Sequence, residues 1–100
     1  MAEWIYFIHP PRENFADTMT EAEGEVWGVH WERIQREFKA GRIIVVGPTL
    51  GPGTNTGICI FEAPDEDAAR RFMEEDPVFV AGIATPELRP FRVSLLRGRD

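Results

Sequence analysis

Residues 20–48 read TEAEGEVWGVHWERIQREFKAGRIIVVGP, and the fold turns on how that stretch divides. Thr20-Glu21-Ala22-Glu23 has the form of a capping box. A threonine hydroxyl accepts from the backbone N–H three residues on, and the glutamate there reaches back to the threonine N–H. The acidic residues also suit the positive end of a helix. A helix is expected from Thr20 as N-cap to about Ala40, where Gly41 stops it. Val26, His30, Ile34 and Phe38 stand four apart, with Trp27 and Trp31 flanking the same side. Glu32, Arg33, Gln35 and Arg36 are expected on the opposite, wet side. From Arg42 to Val46 the period changes. Four consecutive β-branched aliphatic residues closed by Gly47-Pro48 read as a strand.

Upstream, Trp4 to Ile8 is a short apolar and aromatic run ended by His9-Pro10-Pro11, a second strand signal. Pro10 to Asp17 is expected as a loop, stiffened by two prolines that fix φ and disfavour helix in the residue before them. Downstream, the glycine-rich residues Gly51 to Gly57 form a turn and Ile58 to Glu62 a third strand. Asp65 caps a second helix from Glu66 to about Glu75, with Ala68, Ala69, Phe72 and Met73 facing inward. Asp76-Pro77 begins a short helical turn ended by Gly82, and a last strand covers roughly Glu87 to Leu96. The order is β-α-β-β-α-β, an α+β, ferredoxin-like plan: a four-stranded antiparallel sheet with both helices on one face. The 100 residues suit a single domain spanning 1–100.

The strands are apolar on both sides. Ile5 and Phe7 point one way and Trp4, Tyr6 and Ile8 the other; Ile43 and Val45 oppose Ile44 and Val46; Ile58 and Ile60 oppose Cys59 and Phe61. A sheet with one wet face alternates apolar with polar. The helix-free face is therefore expected to be covered, most simply by a second copy of the chain, giving a homodimer. Burying even ~500 Å² of apolar area per chain there is worth on the order of 10 kcal/mol before association costs.

Composition narrows the partners. The formal net charge of −6 argues against a phosphate backbone, so no nucleic acid is expected, and the cluster Arg89, Arg92, Arg97 and Arg99 reads as a solvated strand edge. No apolar run approaches the ~20 residues of a membrane span, and no export signal is visible, so a cytoplasmic protein without a membrane partner is expected. Cys59 is the single cysteine and sits in a buried-strand pattern, where a thiol is an inert small apolar group.

In this topology the end of the first strand, the start of the first helix and the end of the second helix share one rim. His30 and Asp76 are expected to meet there, beside His9, the Pro10–Thr20 loop, Gly47-Pro48 and the Gly51–Gly57 turn. Imidazole titrates near neutrality, and a carboxylate bonded to one ring nitrogen fixes the tautomer while the other nitrogen handles a proton. His30 is thus the candidate general base or acid, and Asp76 its orienting partner. Phe15, Trp27 and Trp31 are candidate walls for a small planar ligand, and Gly47 could let backbone N–H groups approach a developing oxyanion. Simpler structural roles exist: a core histidine for His30, and for Asp76 an N-cap followed by Pro77 at the first helical position. His9 reads as a pocket-edge residue. Two histidines and one cysteine make no zinc pattern, and no glycine-rich nucleotide fingerprint is present, so neither metal nor cofactor is expected.

Ala40-Gly41-Arg42 leading to Gly47-Pro48, the upstream His30, then Glu75-Asp76-Pro77, Ala81-Gly82 and Arg89-Pro90-Phe91 resemble the YciI-like (YCII-related) family in order and spacing. The resemblance implies a dimeric α/β-barrel fold similar to muconolactone isomerase and an active-site His–Asp pair, which falls on His30 and Asp76. It implies cofactor-free proton transfer on a small organic molecule (isomerisation, elimination or lactone-type chemistry), or else a non-catalytic binding or accessory module using the same pocket. The chain departs from the family pattern in a longer Pro10–Thr20 loop and in Val78, where an aromatic is frequent after Asp-Pro.

Overall fold

The computed structural model describes residues 1–98; Arg99 and Asp100 lie outside the described residues. The elements run β1 (Ala2–His9), α1 (Phe15–Thr18), α2 (Glu21–Lys39), β2 (Ile43–Pro48), β3 (Gly57–Ala63), α3 (Glu66–Glu74), α4 (Pro77–Val80) and β4 (Thr85–Phe91). The strands form one antiparallel sheet in the order β2-β3-β1-β4, the ferredoxin-like arrangement, with β1 and β3 central.

Local chemistry explains the element ends. Both halves of the capping box form: Thr20 Oγ1 accepts from Glu23 N–H at 3.1 Å, and Glu23 Oε1 accepts from Thr20 N–H at 2.8 Å. Gly41 adopts φ 87°, the left-handed conformation that lets the N–H groups of Gly41 and Arg42 turn back onto Phe38 and Glu37 carbonyls. Asp65 caps α3 through Ala68 N–H at 2.8 Å. α4 starts from Asp76, with Pro77 at its first position.

Four expectations are corrected. The segment Pro10–Asp17 is not all loop: α1 forms a single turn because Phe15 is buried against Trp27 and the Arg12 guanidinium covers its ring. β4 runs from Thr85 to Phe91 and stops short of Leu96. Its partner β1 runs out there, with Glu3 opposite Phe91, and Glu3 Oε1 takes the next available N–H, that of Val93. In β2 the register shifts between Ile43 and Val45, which pair with Phe61 and Ile60. This irregularity changes the alternation, so Ile43 and Val46, not Ile43 and Val45, share the core side.

The fourth correction concerns α2. A step of four residues advances about 40° beyond a full turn. Measured from His30, Ile34 lies about 40° round and Phe38 about 80°, whereas Arg33 lies about 60° the other way. The buried arc is centred on His30, so it takes in Arg33 and loses Phe38. Arg33 is accordingly buried, while Phe38 and Trp31 are half exposed at 54% and 50%. Those two line a groove of about 530 Å³ between α2 and β2, with Ile34 and Val45.

The core lies between the sheet and the helices. Trp4, Tyr6, Ile8, Cys59 and Phe61 from the sheet pack with Ile34, Ala69, Phe72, Met73 and Val78. Tyr6 is at its centre, edge-on to Phe61, Phe72 and Phe79. Burial pushes the Cys59 thiol up to about 12, so it stays protonated and unreactive. Among the described residues no helix is long and apolar enough to cross a membrane.

Candidate functional site

β1 carries Tyr6, α2 carries His30 and Arg33, and the α3–α4 junction carries Asp76. All four side chains converge in the layer between sheet and helices. His30 Nδ1 lies 2.7 Å from Asp76 Oδ1, and the Tyr6 hydroxyl donates to Asp76 Oδ2 at 2.7 Å. Val78 N–H donates to Oδ1 at 3.1 Å, so Asp76 caps α4 and holds the imidazole at once. An ionised carboxylate only accepts hydrogen bonds, so the hydrogen shared by the imidazole and the carboxylate sits on Nδ1 of His30. That leaves Nε2 as the free basic nitrogen.

The enclosure is nearly complete. His30 is 4% exposed and Asp76 fully buried. No described hydrogen bond occupies His30 Nε2, yet it is absent from the fully buried atoms left without a partner, of which Arg33 Nη1 is the single case among the described residues. The residual exposure of the ring therefore includes Nε2. Trp27 lies against the ring at 4.9 Å between centroids, and Phe15 packs edge-on to Trp27 at 5.4 Å.

Burial pushes the Asp76 carboxyl upward, but the hydrogen bond and charge of His30, then the Tyr6 hydroxyl and Val78 N–H, outweigh it and hold the group below its ordinary value. Burial, reinforced by neighbouring Cys59 and Asp76, drives the Tyr6 phenol far above its own. Arg33 completes the electrostatics. Its Nη2 donates to the Phe72 carbonyl at 2.7 Å, its guanidinium lies over the Phe72 ring, and Nη1 stands 3.8 Å from Asp76 Oδ2. Glu75 is 4.0 Å from Nη2 on the outer side.

The remaining candidates are scattered. Trp27 touches His30, and Phe15 stands one ring further out. Trp31 faces the α2–β2 groove instead of the His30 ring. His9 projects from the helix-free face, stacked on Phe7 and 2.9 Å from Glu87. Gly47 and Pro48 pair with Ile58 and Gly57 on the edge strand β2, separated by β3 from the strand that bears Tyr6. The Pro10–Thr20 loop does meet the Gly51–Gly57 turn, through Asn14 N–H and the Gly53 carbonyl at 3.5 Å. Among the described residues no group of three or more His, Cys, Asp or Glu side chains is placed to hold a metal ion. Sequence reasoning missed Tyr6 and Arg33. The signal for Arg33 was available in its position three residues after His30, on the same helical arc; a tyrosine in an apolar strand gave none.

The structure is a ferredoxin-like α+β fold with a buried histidine–carboxylate pair beneath its long helix. The chain belongs to the YCII-related family, whose domain model matches residues 4–92. Among solved structures it is similar to 5-chloro-2-hydroxyhydroquinone dehydrochlorinase (TftG) from Burkholderia phenoliruptrix AC1100, solved in complex with 2,5-dihydroxybenzoquinone. The two share 23% identity with a TM-score of 0.65, over 92% of this chain and 94% of that one. No curated protein matches the chain.

Proposed function

We propose that this protein is a small homodimeric acid–base enzyme acting on a small, flat organic molecule. The observation that carries the reading is the orientation of one imidazole: Nδ1 engaged by a buried carboxylate, Nε2 without a protein partner at the residual opening. His30 Nε2 takes a proton from an acidic C–H or O–H of the substrate, and Asp76 stabilises the imidazolium that results. The electron pair left behind either expels a leaving group, completing an elimination, or is reprotonated by His30 at another atom, completing an isomerisation or lactone-type rearrangement. The similarity to a dehydrochlorinase, whose reaction is an elimination, favours the first outcome. On this reading, His30→Ala abolishes turnover of an activated hydroxyquinone-type substrate while the fold persists; undiminished turnover in the folded variant would remove it.

The dimer in this proposal forms through the helix-free face. Ile5, Phe7, Ile58 and Ile60 lie there, on the side of the sheet opposite Tyr6 and Phe61. Ile60→Glu places a charge in the middle of that face. The wild-type chain is expected at twice its monomer mass by sedimentation and the variant at the monomer mass; a monomeric wild type would refute the assembly.

The His30–Asp76 pair also supports a second reading, a non-catalytic ligand-binding module. It predicts that a ligand raises the melting temperature and that no product appears on incubation.

A further inference from the structure

Tyr6 has no packing reason to be a tyrosine. It is fully buried among Phe61, Phe72 and Phe79, where a phenylalanine fills the same space. Its hydroxyl makes one described bond, to Asp76 Oδ2. On that same side lies Arg33 Nη1, buried, without a hydrogen-bond partner, and 3.8 Å from the same oxygen. Two donors thus compete for Oδ2, one neutral and one charged, and the neutral one holds it. A charge-assisted bond to guanidinium is intrinsically the stronger of the two. The phenol prevails by geometry: it projects from β1, a central strand paired on both sides, and its short rigid side chain has little freedom to lose.

We propose that Tyr6 is a positioning residue, which ties the second oxygen of Asp76 to the central strand so that the carboxylate is presented to His30 and withheld from Arg33. Without the hydroxyl, a modest rotation of the carboxylate closes the gap to Arg33 Nη1. That rotation carries Oδ1 away from the imidazole, and His30 loses the partner that fixes its tautomer. The catalytic meaning of this arrangement rests on the acid–base reading above; the geometric claim does not.

The chain has two histidines, so ¹⁵N-histidine correlation spectra resolve His30 once His9→Gln identifies the other. The wild type is expected to show His30 as the Nδ1–H tautomer with a downfield, slowly exchanging Nδ1 proton. Tyr6→Phe is expected to give mixed tautomers and loss of that proton signal, with the circular dichroism unchanged. Tyr6→Phe/Arg33→Met, which removes the competitor, is expected to restore the signal. A folded Tyr6→Phe with a wild-type His30 spectrum overturns the proposal, as does a double variant that stays perturbed. Should Tyr6→Phe not fold, biosynthetic replacement of the only tyrosine by 3-fluorotyrosine makes the phenol a stronger donor without changing the packing. A shifted Nδ1 proton supports the coupling and an unmoved one refutes it. Where turnover is measurable, kcat of Tyr6→Phe falls about tenfold, the scale at which partners of a histidine-orienting group act, with KM unchanged. If His30→Ala keeps its turnover, the acid–base reading falls while the spectra still decide the role of Tyr6.

Discussion

This sheet carries a histidine–carboxylate pair on each face. On the helix side His30 meets Asp76 at 2.7 Å; on the helix-free side His9 meets Glu87 at 2.9 Å. By distance alone the two are the same interaction. Their surroundings differ in every respect that sets energy. Asp76 receives three hydrogen bonds, from His30, Tyr6 and Val78, and sits beside a buried guanidinium. Glu87 and His9 have side chains 44% and 40% exposed, and the nearest other charge is Arg89 at 3.7 Å, itself largely in solvent. A short contact becomes a constrained chemical device only where solvent is largely excluded and the acid's oxygens are held by several fixed donors.

The sharpest way to break this contrast is to remove each acid in turn. Asp76→Ala leaves a buried phenol, an imidazole N–H and the first free N–H of α4 without an acceptor, and a buried guanidinium without its buried counter-charge. Loss of one partner from a buried ionic cluster costs about 3–5 kcal/mol, so urea denaturation should show a deep loss of stability or no folded protein at all. A variant near wild-type stability would mean the cluster is hydrated in solution.

The contrast extends to pH. Asp76 is held below its ordinary value in the fold, so its contribution is complete above the unfolded carboxylate value of about 3.9 and is lost as pH falls from there through the folded value. Tyr6 is held above its ordinary value, so its contribution is complete below about 10 and is lost as pH rises beyond it. Stability should therefore be flat across neutrality with respect to these two groups and fall at both ends. Tyr6 is the only tyrosine. Tyrosinate absorbance should thus appear only with unfolding; a free titration near the ordinary value would show that the phenol is not sealed against Asp76.

The sequence makes the architecture readable because its punctuation is local. The Thr20–Glu23 box, Gly41, Asp65 and Pro77 each act within a few residues, and each appears in the structure where its own chemistry puts it. What escaped notice depended on contacts far apart in the chain. β4 ends where β1 runs out of partners, an edge effect that no property of residues 92–96 announces. The irregularity in β2 is invisible in four consecutive aliphatic residues. The meeting of His30 with Asp76 follows from the topology, but the other half of the cluster does not. Arg33 looks like a surface residue until its angle on the helix is measured from His30, and Tyr6 is joined to Asp76 across 70 residues of chain by a hydroxyl that hydropathy barely registers.

The smallest expected effect is the most discriminating, because it asks whether proximity on its own has consequences. Glu87→Ala removes the carboxylate from the exposed pair and leaves His9 stacked on Phe7 with access to water. Water replaces the lost partner at little cost, and exposed pairs of this kind contribute between nothing and about 1 kcal/mol. The measurement belongs in the Ile60→Glu background, where the face is expected to be free of the proposed second copy. There the midpoint of urea denaturation should move by an amount equivalent to no more than about 0.5 kcal/mol. Added salt should shrink even that, since screening acts on charges open to solvent. A loss approaching that of Asp76→Ala would show that the helix-free pair is as tightly constrained as its counterpart, and the distinction between the two faces would have to be sought in something other than burial.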